Sequence, residues 1–425
     1  MTINTLRRRA TAGALMAACL SPATEALATN GYFSNGYSPE SKAMAGAGVA
    51  VGTGVMGLSQ NPAMGTKIGN EAGFCLSLFA PDRGFTVTDV GGPGPLTTGT
   101  QTSRNTLFPV PCGGVNFRLN DRSSLGVIAY GNGGMNTEYG TNVFVPGFGV
   151  AGTSPLGVNL EQLFIAVNYA YQINDQISVG IAPVFAIQRF SATGLENFAP
   201  FSMDGASLTG NGDDWSTGGG LSLGMLFEPN ENWSVGMSYR TRMRMKAFDK
   251  YAGLFAEQGD FDIPATASIG AAFTPPSNPR WTFTGEYQRI FYSDIAAIAN
   301  SGAVMATPLG ADDGPGFGWK DMDVVRLGAI YRYSDKLTLR GGVSYATKFI
   351  DTSEVMLNML APATPQWHYS IGATYQMNAN WAMTTAFTHV PNATVSGIAP
   401  MTGGTQNIAL RMDQNEFTVG FTRRW

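Results

Sequence analysis

The chain has 425 residues, 26 Lys and Arg against 30 Asp and Glu, a formal charge of −4, and only 13% charged residues. A soluble domain of this size normally carries about 25% charged side chains, so an ordinary soluble enzyme is disfavoured, and the acidic balance offers no basic surface for nucleic acid. Gly is abundant at 54 and aromatics reach 11%, while the mean hydropathy stays near zero.

Residues 1–28 read as a secretory signal: Arg7, Arg8 and Arg9, an apolar stretch from Ala10 to Leu20, and a small-residue cleavage site at Ala26-Leu27-Ala28. Cys19 follows Met-Ala-Ala, a lipoprotein-box look-alike, but the site after Ala28 is better formed. Its removal takes three Arg and one Glu and leaves the mature chain more acidic. No later run reaches the roughly 18 apolar residues of a spanning helix. A membrane form must then be a closed barrel, because backbone groups in lipid need partners.

Residues 29–70 show no alternation and are rich in small side chains. Tyr32 and Phe33 have nowhere else to be buried, so this segment is expected to fold into a barrel lumen as a plug, with a loose periplasmic tail as the alternative.

From residue 71 on, the chain alternates. In 232–246, Trp233, Val235, Met237, Tyr239, Met243 and Met245 take one face, while Ser234, Ser238, Arg240, Arg242, Arg244 and Lys246 take the other. Only an extended strand sorts residues this way, and an aromatic-tipped apolar face opposite a charged one suits a wall between lipid and water. Fourteen such strands are expected, near 73–81, 108–119, 123–131, 158–172, 176–190, 214–228, 232–246, 262–274, 280–290, 321–333, 336–347, 366–377, 380–389 and 414–425. Outward candidates include Ile181, Leu221, Leu223, Leu339 and Tyr345. Short connections carry turn residues, such as Asn120-Asp121, Asn174-Asp175 and Ser334-Asp335. Long polar segments near 82–107, 132–157, 191–213, 247–261, 291–320, 348–365 and 390–413 alternate with them. That segregation is outer-membrane barrel topology with both chain ends in the periplasm. The last strand closes on Trp425, with Phe417, Val419 and Phe421 on one face. Cys75 and Cys112 are both expected to face the lumen on neighbouring strands; two unpaired thiols are favoured over a bridge.

Gly31-Tyr32-Phe33, Met44-Ala45-Gly46-Ala47-Gly48, Asn61-Pro62-Ala63, the strand count and the terminal aromatic together resemble the FadL/TodX family of outer-membrane channels for long-chain fatty acids and aromatic hydrocarbons. The resemblance covers essentially the whole mature chain. It implies an N-terminal hatch including Gly31, Tyr32, Phe33, Asn61, Pro62 and Ala63, a hydrophobic site in the lumen, and a sideways exit at a kink in the third strand. That strand here runs into Gly131, Asn132, Gly133 and Gly134, which read equally as a bulge or as a strand end. Gly52-Thr53-Gly54-Val55 is less acidic than in many relatives, so the anchoring of the hatch is left open.

A basic interior in an acidic chain suits an anionic headgroup, which Arg holds with two parallel bonds. Alternation points Arg118, Arg240, Arg242, Arg244, Arg326, Arg332 and Arg340 inward; for any one of them a structural ladder is the commoner role. Apolar burial should dominate affinity: about 0.8 kcal/mol per CH₂ gives a long acyl chain far more than one charge-assisted bond of about 1.5–3 kcal/mol. Phe144, Val145, Phe148, Phe190, Leu195, Phe198, Phe201, Phe248, Tyr251, Leu254 and Phe255 lie in or beside the long loops and supply that surface. Ligand candidates are therefore Arg240, Arg242, Arg244 and Arg326 with Phe190, Phe198, Phe201, Phe248 and Phe255. The acids Asp213-Asp214, Asp249, Asp260, Asp262 and Asp312-Asp313 read as solvated loop charges before cation ligands that bridge lipopolysaccharide phosphates. His368 and His389 show no metal spacing, and no Gly-x-Ser-x-Gly elbow occurs, so no catalytic, metal or cofactor site is expected. A monomeric channel for hydrophobic molecules follows, with a diffusion porin for small hydrophilic solutes as the alternative.

Overall fold

A computed structural model of the chain describes residues 30–144 and 152–425. The signal segment, Cys19, Val145 and Phe148 lie outside the described residues. Fourteen strands close an antiparallel barrel: β1 (Glu71–Asp89), β3 (Phe108–Arg118), β4 (Ser123–Tyr139), β5 (Leu156–Gln172), β6 (Ile177–Thr193), β7 (Asp214–Asn230), β8 (Trp233–Arg240), β10 (Thr266–Phe273), β11 (Trp281–Ile290), β12 (Met322–Arg332), β13 (Leu337–Ala346), β14 (Trp367–Gln376), β15 (Trp381–Ile398) and β16 (Gln406–Arg424). Two short pieces, β2 (Gly99–Thr102) and β9 (Arg244–Met245), lie on β1 and β7. Closure is made by β16 on β1, in register from Glu71 opposite Arg424 to Asp89 opposite Gln406. Pairing the last strand with the first closes the wall, which is what lets strands cross hydrocarbon.

Each expected strand is present. Phe74, Leu78, Tyr169, Ile181, Leu221, Leu223, Trp233, Met237, Tyr239, Leu327, Ile371, Phe387 and Phe417 project outward as an exposed apolar band. A band of that extent on a water-facing protein would aggregate; here it is the lipid face. Several strands run further than alternation suggested. The segment 390–413, expected as a long loop, is mostly wall, since β15 and β16 leave only 399–405 between them. Polar residues mark these extensions because they stand above the hydrocarbon, so apolar alternation fades before the strand ends.

The strand expected over 232–246 breaks after Arg240. Ser222 of β7 faces Arg240, yet Gly218 faces Met245, so the pairing slips by one residue. Beyond the slip Met243 and Met245 point inward and Arg244 outward. A bulge of one residue reverses the faces of everything after it, so period-two reading could not carry across it.

Residues 30–70 lie within the barrel as short turns: a helical turn at Pro39–Lys42, 3-10 turns at Val55–Ser59 and Pro62–Met64, and a helical turn at Gly65–Ile68. Ser38 caps the first through reciprocal bonds with Ser41. Asn61 caps the third by accepting from the Ala63 N–H at 3.0 Å. Tyr32, Met44, Ala45, Asn61 and Ala63 are fully buried. Cys75 and Cys112 sit opposite each other on β1 and β3 and form a disulfide, which corrects the expectation of free thiols. Directly opposed cysteines on one face already have their Cβ atoms near bridging distance.

Candidate functional site

The leading segment is anchored by charge as well as by shape. Glu286 of β11 accepts the N–H groups of Gly48 (2.8 Å) and Val49 (2.9 Å) on one oxygen and Arg326 (2.8 Å) on the other. Arg326 also donates to Asn35 at 3.1 Å and Gln288 at 2.8 Å. Its guanidinium is therefore committed to the wall and the leading segment, which corrects its assignment to a ligand. Glu71 accepts from the Val55 N–H at 2.6 Å and from Arg424 at 2.8 Å. Anchoring thus falls on acids of the wall, and the Gly52–Val55 stretch needs none of its own.

Other candidates separate in the same way. Arg118 and Arg332 are exposed at the short-turn end of the barrel. Arg242, beyond the slip, is held by Asp262 (2.7 Å), by Asp260 (3.6 Å) and by the Asp294 carbonyl (2.7 Å). Arg244 is exposed. Arg240 alone of the three stays inside. It is buried, donates to Asn132 Oδ1 at 3.3 Å, and lies 5.1 Å from the ring centres of both Phe33 and Phe164.

Asn132 marks the second feature. The pairing of β4 with β5 shifts between Gly131 and Gly133, so these residues form a bulge and the strand continues to Tyr139. Beyond Tyr130, β4 no longer pairs with β3, whose Phe108–Pro111 piece keeps only β1. Pro109 and Pro111 suit a strand flank with no partner, since neither has an N–H to offer. The leading segment occupies the inner side of the bulge: Ser34 N–H donates to the Asn132 carbonyl at 2.8 Å and Gly134 N–H to the Tyr32 carbonyl at 2.9 Å. Asn132 is further tied by its side chain to Gln162 (2.8 Å) and Tyr37 (2.9 Å).

The third feature is an apolar pocket among the long loops. Phe190, Phe198 and Phe255 line it with Leu195, Leu208, Leu309 and Phe317; none of its lining residues is charged. Phe248 packs behind, 5.5 Å from Phe190 between ring centres. Phe201 is outside it and 42% exposed, because the turn at Glu196–Phe201 contains Pro200 and directs Phe198 inward and Phe201 outward. Leu309 and Phe317 were missed because each stands alone among glycine and proline, and Leu360 because its apolar run, residues 355–361, lies in a loop and does not alternate. From the pocket a line of rings descends: Phe190 to Phe255 (4.7 Å), Phe255 to Phe261 (4.8 Å), Phe261 to Tyr32 (6.1 Å) and Tyr32 to Phe33 (5.1 Å). Phe33 forms the bridge to Gly133 at the bulge.

The loop acids are largely paired. Asp213 meets Arg189, Asp249 meets Lys246, and Asp312 accepts from Gln258. Asp260 stands apart: burial and the neighbouring Asp262 carboxylate raise its pKa to about 6, against the pull of Arg242.

Residues 18–422 match the family described as outer membrane protein transport protein (OMPP1/FadL/TodX). The chain belongs to this family. It is 23% identical over 323 residues to the 47 kDa outer membrane protein of Pasteurella multocida (strain Pm70), covering 67% of this chain and 70% of that protein. It is 24% identical over 364 residues to the long-chain fatty acid transport protein of Escherichia coli (strain K12), covering 76% and 78%. Among solved structures, the Pseudomonas putida toluene transporter TodX superposes with a TM-score of 0.68 at 18% identity, over 92% of this chain and 99% of that one. A Pseudomonas aeruginosa FadL homologue gives 0.69 at 16%, again over 92% and 99%. These structures share the fold. The FadL/TodX family consists of outer-membrane transport proteins, which places this chain among transporters by its descent.

Proposed function

We propose that this protein is a passive channel that admits hydrophobic compounds across the outer membrane. The loop pocket captures the molecule, the line of rings from Phe190 to Phe33 carries it inward, and residues 30–34 act as the hatch that covers the bulge at Gly131–Gly134. When that segment leaves β4, cargo passes sideways between β3 and β4, where the two strands no longer pair. The solute gradient supplies the drive, and the chain works as a monomer with both ends in the periplasm and its loops among lipopolysaccharide.

The observation that carries this reading is the uncharged pocket joined to the bulge by rings. Desolvating an apolar molecule contributes about 25 cal/mol per Å² of buried surface, and such a pocket supplies burial without the cost of stripping a charge. Long-chain fatty acids and aromatic hydrocarbons both fit this chemistry, as the fatty acid and toluene transporters among the relatives suggest. The packed leading segment speaks against a porin for hydrophilic solutes.

The test is uptake of toluene and of a fluorescent long-chain fatty acid by cells carrying wild type, Phe255→Asp or Phe201→Asp. The pocket variant should lose uptake by about tenfold or more, since a buried unpaired carboxylate is strongly unfavourable, and the exposed variant should keep it. Equal behaviour of the two variants, or rapid sugar entry in liposome swelling, would overturn the reading.

A further inference from the structure

Between the leading segment and the wall lies a second cavity, with a lining opposite in character to the loop pocket. Ser222, Ser238, Thr266, Ser268 and Gln288 present hydroxyl and amide groups, and two guanidinium groups, Arg240 and Arg326, border it with one carboxylate, Glu286. Their charges are met differently. Arg326 is matched by Glu286 at 2.8 Å. Arg240 makes no ion pair among the described residues. Its hydrogen-bond acceptor is neutral, the side-chain oxygen of Asn132. Its Nε has no acceptor among the described residues.

The acids in the neighbourhood are already committed. Both oxygens of Glu286 are used, by Arg326 and by the N–H groups of Gly48 and Val49. Asp262 accepts from Arg242 Nε at 2.7 Å and from the Met245 N–H at 2.6 Å. A guanidinium cannot shed its proton to relieve burial, as a lysine can. A buried charge without an opposite charge is costly, and hydrogen bonds to neutral oxygens offset only part of that cost. The rings of Phe33 and Phe164 lie within cation–π distance of the guanidinium but bring no net negative charge.

We propose that this chamber binds a small monovalent anion, chloride or a carboxylate of acetate size, as the counter-charge of Arg240. The hydroxyl groups of β7, β8 and β10 would complete its hydrogen bonding. Long hydrophobic acids are excluded as occupants because the lining offers an acyl chain no apolar wall. The anion is therefore distinct from the cargo, whose proposed course follows the rings from Phe190 to Phe33.

The test uses the full-length protein in detergent at constant ionic strength, with gluconate exchanged for chloride, bromide or acetate while thermal unfolding is followed. Wild type should gain stability saturably with the small anions. Arg240→Gln should weaken the apparent affinity by about tenfold or more, as loss of a charge-assisted bond does, while Arg244→Gln, outside the chamber, should leave it unchanged. Absence of any small-anion effect in wild type, or an effect retained in Arg240→Gln, would overturn the proposal. Should Arg240→Gln not fold, bromide-soaked crystals of wild type decide the matter: an anomalous peak beside Arg240 supports the site, and an empty chamber refutes it. A preference for acetate over chloride would identify the occupant as a carboxylate. None of these readings depends on cargo uptake, so failure here leaves the transport reading intact.

Discussion

Gly180 of β6 faces Gly224 of β7 across the sheet, and the space where two side chains would stand is filled by the Asn61–Pro62–Ala63 turn. A Cβ at Gly180 would run into the backbone of Pro62 and Ala63; one at Gly224 would meet the Asn61 side chain. Asn61 in turn donates to the Val49 carbonyl at 2.8 Å and to the Met225 carbonyl at 3.0 Å, so the turn is bonded to the wall it leans on. Gly180→Leu should leave the barrel intact in detergent but unseat the leading segment, because backbone cannot yield as a flexible side chain does. Overpacking of this kind costs about 1–3 kcal/mol. The expected outcome is a lower unfolding temperature together with raised small-ion conductance in planar bilayers. Wild-type values for both would mean that the segment is not held here.

How far the sequence reached is instructive at this same spot. Alternation of apolar and polar residues located the wall strands because lipid on one side and a filled lumen on the other impose a period of two. The Asn61–Pro62–Ala63 motif was visible, yet its receptor was not, since a glycine pair only becomes a socket once two strands are in register. Arg242 and Arg244 went astray for a related reason: a one-residue slip after Arg240 leaves no mark in hydropathy. Arg326 and Arg240 looked alike in the sequence, and only the placement of Glu286 separates a matched charge from an unmatched one.

The Cys75–Cys112 bridge stands where β3 loses a neighbour. Cys112 faces Cys75 on β1 and Tyr130 on β4, and beyond Tyr130 the β3–β4 pairing ends. The bridge therefore ties β3 to β1 at the fork and closes a sequence separation of 37 residues. Replacing both cysteines by Ser should cost about 2–4 kcal/mol, read as a lower unfolding temperature under oxidising conditions. Non-reducing peptide mapping should show the two peptides linked in wild type. Recovery of both thiols alkylated, without prior reduction, would contradict the bridge.

Asp260 gives the long loops a dependence on pH. Its folded-state pKa, raised to about 6, lies above the ordinary carboxylate value. Folding thus favours the protonated form, and the stability this contributes is complete below about pH 4 and lost as pH rises through 6. Limited proteolysis of the 241–265 loop should proceed faster at pH 7.5 than at pH 5 in wild type. Asp260→Asn should flatten that difference and protect the loop at pH 7.5. An unchanged pH profile in the variant would assign the effect to another group.

Lys42 and Glu416 form a buried ion pair at 2.5 Å between the first helical turn and β16, and Lys42 also donates to Ser34 at 3.2 Å. Both side chains are nearly inaccessible, so removing one leaves the other charge stranded in a low-dielectric interior. Lys42→Met should therefore destabilise the protein by about 3–5 kcal/mol. Removing both charges should cost much less, because a buried pair contributes little beyond the desolvation it offsets. In a double-mutant cycle with Glu416→Gln, the sum of the two single losses should exceed the loss in Lys42→Met/Glu416→Gln by about 3 kcal/mol or more. Additive losses would mean that the pair is not coupled, and that Lys42 holds the segment through Ser34 alone. A coupled result ties the helical turn, and Ser34 through Lys42, to the strand that closes the barrel.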